Sequence, residues 1–165
     1  MAASLPFTLQ TASWPDDRAR IASVRRRVFV EEQRIPEAEE WDGVDPGCRH
    51  VLAVDGKRDA IGTGRLEPGG KIGRVAVLPQ HRGAGVGSGI VRHFVKLAAD
   101  SGLTQVYLHA QTAALQFYER LGFRAEGPEF EEVGIPHRLM RLGIEQGDER
   151  QAGRDGHPEH PLDAR

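Results

Sequence analysis

Hydrophobic residues near the N terminus recur at the spacing of a helix. A short apolar start at Phe7 and Leu9 precedes Pro15, which suits the first turn of a helix because that turn leaves its N–H groups unpaired. Apolar side chains then follow at i, i+3 and i+7 spacing, at Ile21, Val24 and Val28. The pattern predicts one amphipathic helix, then a short second helix within 29–36 that Pro36 ends, and an acidic loop over 37–46.

The middle of the chain has the pattern of strands and tight turns. The segments 51–54 and 60–66 flank Asp55-Gly56-Lys57, and an Asp-Gly pair tolerates the positive φ of a hairpin turn. A second turn over 67–70 leads to a β-branched run over 72–78, which stops at Pro79. These segments predict three strands in a meander.

From Val86 onward the period becomes that of a helix again. One helical stripe, ended by Gly102, consists of Val86, Ile90, Phe94, Leu97 and Ala98. An alternating strand over 105–110 follows, and then a second helical stripe that Gly122 ends, made of Ala114, Phe117, Tyr118 and Leu121. Two closing strands, 123–125 and 138–142, are predicted around a loop with Gly127-Pro128 and Gly134-Ile135-Pro136. This order of elements predicts a mixed α/β layer fold.

Composition narrows the class of protein. A chain of 165 residues, 39% hydrophobic and 28% charged, is expected to form one ordinary globular domain. Lys and Arg number 22 against 24 Asp and Glu, so the net charge of −2 gives no reason to expect nucleic acid or an acidic membrane as partner. No apolar run is long enough to span a membrane, and the single cysteine, Cys48, excludes an internal disulfide and a cysteine zinc site. We expect a cytoplasmic protein with no metal.

Glycine is concentrated in one region. Of the 20 glycines, ten lie between Gly56 and Gly89, and four of these fall in the segment 80–89 that connects a predicted strand to a predicted helix. Free backbone N–H groups and the positive end of a helix can receive a phosphate there, and Arg82 can add a mobile positive charge at the rim. A nucleotide-hydrolysing P-loop is excluded because no Lys-Ser or Lys-Thr pair follows the glycines, and the dinucleotide-binding spacing is not met.

Two ordered motifs resemble those of a known superfamily. Gln80-x-x-Gly83-x-Gly85, preceded by Arg74-Val75-Ala76-Val77, resembles the pyrophosphate-binding motif of the GNAT superfamily of acyl-CoA-dependent N-acetyltransferases. The segment 114–123, Ala-x-x-Phe-Tyr-Glu-Arg-Leu-Gly-Phe, is similar to the second signature of that superfamily. Further features at 28–33, 42–43 and 134–140 resemble a bacterial branch whose substrates are mostly unassigned.

The resemblance implies a fold and a set of binding residues. The fold is a mixed, mainly antiparallel central sheet flanked by helices, in a domain over 1–143. The composition of the remainder, which is acidic and has no aromatic residue, predicts a disordered tail over 144–165. Acetyl-CoA is the implied acyl donor, with its pyrophosphate on the amides from His81 to Gly87. The implied donor-binding residues are Val75, Ala76, Val77, Gln80, His81, Arg82, Gly83, Ala84, Gly85, Val86, Gly87, Gln111, Phe117 and Tyr118.

The same resemblance implies two catalytic groups. A backbone N–H at Val77, or at its neighbour Ala76, polarises the thioester carbonyl, and Tyr118 protonates the leaving thiolate. Gln111 stands where many members of the superfamily have asparagine, and its amide hydrogen-bonds the pantetheine arm of the donor.

An amine acceptor has to lose a proton before it attacks. For a lysine-like amine at pH 7 this costs roughly 4 kcal/mol, so a base is required. Five residues are candidates for the base: Glu31, Glu32, Glu67, His109 and His137. Of these, His109 titrates near neutrality and lies toward the end of a predicted strand, so it ranks first. Arg65 and the run 25–27 raise the alternative of an acidic acceptor, although arginines on a helix commonly face water or pair with acids such as Glu31 and Glu32.

The sequence therefore predicts direct transfer of an acetyl group from acetyl-CoA to a primary amine on a small molecule or peptide. The alternative is a non-catalytic module that binds or senses acyl-CoA. No nucleic acid and no membrane are expected as partners, and a homodimer is left open.

Overall fold

The structure is a computed structural model of the 165-residue chain, and it describes residues 7–145. Its strands are β1 (Phe7–Ala12), β2 (Arg49–Asp55), β3 (Ala60–Leu66), β4 (Ile72–Val77), β5 (Gln105–Gln111), β6 (Arg124–Glu132) and β7 (Ile135–Gly143). Its α-helices are α1 (Trp14–Arg25), α2 (Glu37–Glu40), α3 (Val86–Asp100) and α4 (Leu115–Arg120). Of the tail predicted over 144–165, residues 146–165 lie outside the described residues. Ile144 donates its N–H to the Thr104 carbonyl at 2.8 Å.

The chain divides into two compact units, one up to residue 94 and one from residue 95. In the first unit, four antiparallel strands form a sheet in the order β1-β2-β3-β4. The predicted hairpin is confirmed, since β2 and β3 pair across the turn at Asp55 with Leu52 opposite Thr63. The apolar start is itself a strand, β1, because its residues pair with β2 and bury Ala12 in a cluster with Ile21, Leu52 and Val54.

The second short helix predicted within 29–36 is wrong. Helix α1 continues without a break into a π-helical turn, Arg26–Glu32, because Arg26 keeps helical backbone angles of φ −60° and ψ −45°. The wider turn ends with the Gln33 N–H donating to the Val28 carbonyl at 3.1 Å and the Ile35 N–H donating to the Phe29 carbonyl at 2.9 Å. Val28 and Phe29 both remain buried as a result.

The acidic segment 37–46 is also more ordered than predicted. It contains the short helix α2 and a single 3₁₀ turn at Asp45–Gly47. Pro36 precedes α2 and three glutamates fill its first turn, where carboxylates interact favourably with the unpaired N–H groups. Two of its carboxylates, those of Glu40 and Asp45, are buried against arginines described below.

In the second unit, three antiparallel strands form a sheet in the order β5-β7-β6. The loop predicted between residues 125 and 138 is wrong, because β6 and β7 continue to a two-residue turn at Val133 and Gly134, with φ values of +48° and +75°. Glu132 lies opposite Ile135 across this turn. Gly127, with φ +71°, lies at an irregularity in the pairing between Glu126 and Phe130.

The remaining elements match their sequence patterns. Strand β4 ends just before Pro79, α3 begins at Val86, and α4 ends before Gly122, whose φ is +96°. Together they confirm the predicted α/β fold with antiparallel strands and flanking helices. Among residues 7–145, no helix is long and apolar enough to cross a membrane.

Candidate active site

The end of β4 presents backbone groups at the edge of the four-stranded sheet. Val77 lies opposite Gly62, and the next residue, Leu78, donates its N–H to the Ile61 carbonyl at 2.9 Å. Because bonded and non-bonded pairs alternate along antiparallel strands, the N–H and carbonyl of Val77 point away from β3. Those of Ala76 then point toward β3. Of the two N–H groups that the sequence left open, the one on Val77 is therefore available to a ligand.

The segment after β4 folds as a loop with two left-handed residues. A 3₁₀ turn at Pro79–His81 leads to Gly83 and Gly85, whose φ values are +82° and +84°. A Cβ added at either glycine would meet nothing within 4 Å. The glycines are thus required by the backbone conformation, and the space beside them is open to a ligand.

Helix α3 begins directly after this loop. The Gly89 N–H donates to the Gly85 carbonyl at 3.0 Å, so the N–H groups of Val86, Gly87 and Ser88 have no acceptor within the helix. The first turn of α3 contains no acidic residue. Its amides and the positive end of the helix fit an anionic group such as a pyrophosphate.

Two glycines of β3 determine how closely α3 approaches the sheet. A Cβ at Gly64 would lie 2.8 Å from Phe94 Cε2, and a Cβ at Gly62 would lie 3.0 Å from Val86 Cγ1. Any side chain at Gly64 would push the helix outward. These glycines therefore fix the position of the α3 N terminus relative to the end of β4.

Arg82 is not the mobile charge that the sequence predicts. Its Nη1 and Nη2 donate to Glu32 Oε2 and Oε1 at 2.7 and 2.6 Å, and its Nε donates to the Val77 carbonyl at 3.0 Å. The hydrogen bonds from Arg82 lower the pKa of Glu32. The guanidinium has a fixed position because its planar set of N–H groups donates to a carboxylate and to a strand carbonyl at the same time.

The ion pair between Glu32 and Arg82 joins residues that are far apart in the sequence. Glu32 lies at the end of the π-helical turn, 50 residues before Arg82. From the sequence, Glu32 was predicted only to be a candidate base or a partner of the helical arginines. No local signal could have paired it with Arg82.

In the second unit, Tyr118 lies in an aromatic group on α4. Its ring centroid is 4.9 Å from that of Phe117 and 5.8 Å from that of Phe123, in edge-to-face contacts. Burial raises the pKa of Tyr118 to about 12. The phenol therefore stays protonated near neutral pH and can act as a proton donor.

His109 has a carboxylate partner that the sequence did not indicate. Its Nδ1 lies 2.5 Å from Glu132 Oε1, and because a carboxylate only accepts, the imidazole Nδ1 holds the proton. In the tautomer with the proton on Nδ1, Nε2 is the ring nitrogen that can accept a proton. Phe130 packs its ring edge-to-face on His109, with 5.0 Å between centroids. Glu132 was missed because its segment was predicted to be a loop.

The other predicted residues of this unit occupy strand β7 and the end of β5. Gln111, the last residue of β5, lies opposite His137. His137 is buried, and its Nδ1–H donates to the Ile135 carbonyl at 2.6 Å. That bond uses one ring nitrogen of His137, so His109 is the histidine of this sheet that has a carboxylate partner.

A buried cluster of charges supports the first unit. Arg25 donates to Glu40 Oε1 at 2.8 Å and to Asp45 Oδ1 at 2.6 Å, and Arg65 donates to the same Asp45 oxygen at 3.0 Å. Arg25 therefore does not face water or pair with Glu31 or Glu32, as the sequence suggested. The side chain of Arg65 is also engaged within the protein, which removes the basis for assigning it to an acidic acceptor.

The cluster extends to the bulged part of β4. Arg74, with φ +52°, lies 3.3 Å from Glu40 Oε2 and donates to the Glu40 carbonyl at 3.1 Å. Asp42 accepts from Arg65 at 2.6 Å. Burial by itself would raise the pKa of Asp45, but hydrogen bonds and charges of Arg25 and Arg65 lower it overall, whereas burial raises the pKa of Glu40. Within the described part of the chain, no group of three or more His, Cys, Asp or Glu residues could hold a metal ion.

Comparison with known proteins identifies the class. The model of the acetyltransferase (GNAT) domain matches residues 22–144, which include the β4 end, the glycine loop and α4. The chain therefore belongs to the GNAT family of acetyltransferases, whose members are acyltransferases that use acyl-CoA as a substrate.

The relatives include both sequences and solved structures. The chain is 42% identical over 121 residues to YjcF of Bacillus subtilis, an uncharacterized N-acetyltransferase, with 71% of this chain and 86% of YjcF covered. An acyl-CoA N-acyltransferase from Pseudomonas aeruginosa is 30% identical with a TM-score of 0.72, covering 82% of this chain and 98% of that one. ElaA of Escherichia coli is 27% identical with a TM-score of 0.73, covering 81% and 98%.

Proposed function

We propose that this protein transfers an acetyl group from acetyl-CoA to a primary amine, directly and without a covalent enzyme intermediate. One observation supports the donor site above all. The Val77 N–H at the sheet edge, the two left-handed glycines and the unpaired amides of α3 follow one another within residues 77–88. The Val77 N–H suits a thioester carbonyl, and the open loop with the first amides of α3 suits a pyrophosphate.

The donor is assigned to the first-unit residues that the family resemblance named. The amides from Gly83 to Gly87 would receive the pyrophosphate, and the β4 residues Val75 to Val77 would lie along the pantetheine arm. The amides of His81 and Arg82, which the family resemblance also named, instead donate to the Leu78 and Pro79 carbonyls at 2.9 and 3.3 Å. The Val77 N–H would stabilise negative charge on the thioester oxygen. Acetyl-CoA, rather than a longer acyl-CoA, remains part of the proposal.

The proton transfers are assigned to the second unit. As the C–N bond forms and the C–S bond breaks, the amine loses a proton and the thiolate gains one. His109 would accept the first proton at Nε2, while Glu132 holds its Nδ1–H and stabilises the imidazolium. Tyr118 would supply the second proton, since its phenol is protonated near neutral pH and carries an O–H donor.

The experiment measures binding and turnover separately. Isothermal calorimetry with CoA and acetyl-CoA tests the donor site, and thiol release in the presence of a library of primary amines tests transfer. Acetyl-CoA binding with amine-dependent thiol release is the expected result. Saturation with acetyl-CoA and no release above the hydrolysis background identifies a non-catalytic binding module instead, and no binding of CoA at all overturns the proposal.

A further inference from the structure

Arg82 and Glu32 form a brace between the π-helical turn and the end of β4. The guanidinium binds both carboxylate oxygens of Glu32 at 2.6 and 2.7 Å and the Val77 carbonyl at 3.0 Å, so three of its five N–H groups are used within the protein. The Arg82 main chain is fixed as well, because its N–H donates to the Pro79 carbonyl at 3.3 Å. We call the contacts among Glu32, Arg82 and Val77 the brace.

The brace ends at Arg82, one residue before the left-handed Gly83. Gly83 and Gly85 have few conformational restraints of their own, and nothing lies within 4 Å of the place where their side chains would be. The direction of the amides from 83 onward is therefore determined at one end by Arg82 and at the other by the first turn of α3. Without the brace, Arg82 would keep its 3.3 Å backbone hydrogen bond to Pro79, and the 3₁₀ turn would keep the 2.9 Å bond from the His81 N–H to the Leu78 carbonyl.

We propose that Glu32 and Arg82 are positioning residues that act as a unit to preset the loop for the pyrophosphate of acyl-CoA, and that Arg82 does so without contacting the phosphates. This role rests on the proposed function. It assigns Glu32 to donor binding and removes it from the candidates for the base. It also explains why an acidic residue lies beside a site for an anion.

The obvious alternative is that Arg82 binds the phosphates directly, and the two roles predict opposite effects of one substitution. If Arg82 contacts phosphate, Glu32→Gln removes a competing carboxylate and a repulsive charge, so CoA binds equally well or more tightly. If the brace presets the loop, Glu32→Gln weakens CoA binding. We expect about a tenfold weakening for Glu32→Gln and a similar loss for Arg82→Gln.

A double-mutant cycle tests whether the two residues act as a unit. The Glu32→Gln, Arg82→Gln double variant should bind CoA no more weakly than either single variant, because each substitution already breaks the brace. Arg82→Lys should also lose most of the affinity, since an ammonium keeps the charge but not the planar fork. Near-wild-type binding by Arg82→Lys would indicate a point charge on the phosphates and overturn the brace. The matched control is Glu39→Gln, which removes the same charge from an exposed glutamate on α2.

Kinetics separate positioning from a general loss of structure. The brace is about two-fifths exposed, so its loss should change the midpoint of thermal unfolding only slightly. The KM for acyl-CoA should rise about tenfold in Glu32→Gln while kcat and the KM for the amine stay near wild type. A fall in kcat with an unchanged KM for acyl-CoA would overturn the assignment and return Glu32 to the candidate bases.

Hydrogen exchange of the ligand-free protein separates this inference from the proposed function. The N–H groups of His81, Arg82 and Gly89, which donate to the Leu78, Pro79 and Gly85 carbonyls, should exchange faster in Glu32→Gln and Arg82→Gln and at the wild-type rate in Glu39→Gln. Unchanged exchange in both brace variants overturns the brace, whatever the protein binds. Wild-type protein that binds no CoA overturns the proposed function and with it the role of the brace, whereas normal wild-type binding with tighter binding by Glu32→Gln overturns the brace alone.

Discussion

Arg25 and Asp45 are joined by a 2.6 Å hydrogen bond between Nη1 and Oδ1, and only 1% and 3% of their side chains are exposed. Asp45 also accepts from Arg65, so one carboxylate oxygen serves two buried guanidinium groups. The two cations share this anion, and each has one further carboxylate partner, Glu40 for Arg25 and Asp42 for Arg65. The pair connects α1 to the 3₁₀ turn that precedes β2.

Removing this carboxylate should destabilise the fold strongly. Asp45→Ala leaves Arg25 and Arg65 buried with one acceptor fewer each, and breaking such a pair costs about 3 kcal/mol of unfolding free energy. Urea unfolding followed by circular dichroism measures the loss. The control is Glu37→Gln, which breaks the exposed pair with Arg26 and should leave the unfolding midpoint close to wild type. Equal effects of the two substitutions would contradict the assigned role of burial.

His50 should make stability fall as the solution becomes mildly acidic. Its Nε2–H donates to the Asp45 carbonyl at 2.9 Å, its ring stacks on Trp14, and burial lowers its pKa below the usual 6.5. The unfolded chain then binds a proton that the folded chain does not, so the stabilisation is complete above pH 6.5 and is lost as the pH falls below it. The slope approaches about 1.4 kcal/mol per pH unit for one proton.

Unfolding free energies between pH 7.5 and 5.5 test this dependence. His50→Gln should be less stable than wild type at pH 7.5, and its stability should change less with pH over that range. A variant with the full wild-type slope would show that other groups cause the pH dependence.

Gly85 should be required for its backbone conformation. At φ +84° an alanine costs about 1 kcal/mol, and any shift toward negative φ turns the loop amides away from the pyrophosphate. Gly85→Ala should therefore lower the unfolding free energy modestly and weaken CoA binding more than tenfold. Gly69→Ala is the control, because its Cβ also meets nothing within 4 Å and its φ lies outside the left-handed region. Comparable CoA affinities in the two variants would contradict this role of the loop.

Tyr118→Phe should slow acetyl transfer without weakening the binding of acetyl-CoA. The substitution keeps the ring contacts with Phe117 and Phe123 and removes the hydroxyl, so acetyl-CoA affinity should be retained while transfer slows by about 10²–10⁴-fold. The decrease in the transfer rate should be smaller with an acyl donor whose leaving thiol is more acidic. Tyr107→Phe, which changes the second of the two tyrosines, is the control and should turn over normally. Wild-type rates in Tyr118→Phe would make the tyrosine a packing residue.

Glu132→Gln should slow transfer through its effect on His109. The amide can still accept the Nδ1–H, but it no longer supplies the negative charge that stabilises the imidazolium formed when His109 takes up a proton. We expect kcat to fall about 10- to 100-fold with little change in the KM for acyl-CoA. His109→Gln should be at least as slow, and adding Glu132→Gln to it should have no further effect. Independent, multiplying losses would show that Glu132 does not act through His109.

Local signals in the sequence were sufficient to predict the glycine loop between β4 and α3. The strand that ends at Pro79, the glycines at 83 and 85 and the helix beginning at Val86 each depend on neighbours within a few residues. The same holds for the β2–β3 hairpin, which an Asp-Gly pair indicates. Such features follow from backbone conformations that only certain residue types adopt.

Interactions between distant residues could not be predicted in this way. Arg25 binds Glu40 and Asp45, which lie 15 and 20 residues further along the sequence. Arg82 binds Glu32, which lies 50 residues before it. The composition of 37–46 indicates acidity but not which carboxylates are buried. The extension of β6 was missed because glycine and proline within it resemble a loop, although Gly127 occupies an irregularity in the strand pairing.

The π-helical turn at Arg26–Glu32 makes the winding of this segment as important as its composition. Each residue of this wider turn advances less around the axis than the roughly 100° of an α-helix, so the same seven residues wound as an α-helix would turn Glu32 to a different direction. Glu32 would then point away from Arg82, although no residue of the glycine loop had changed. Substitutions within 26–32 that favour an α-helical over a π-helical turn should therefore alter donor binding, even where the glycine motif is intact.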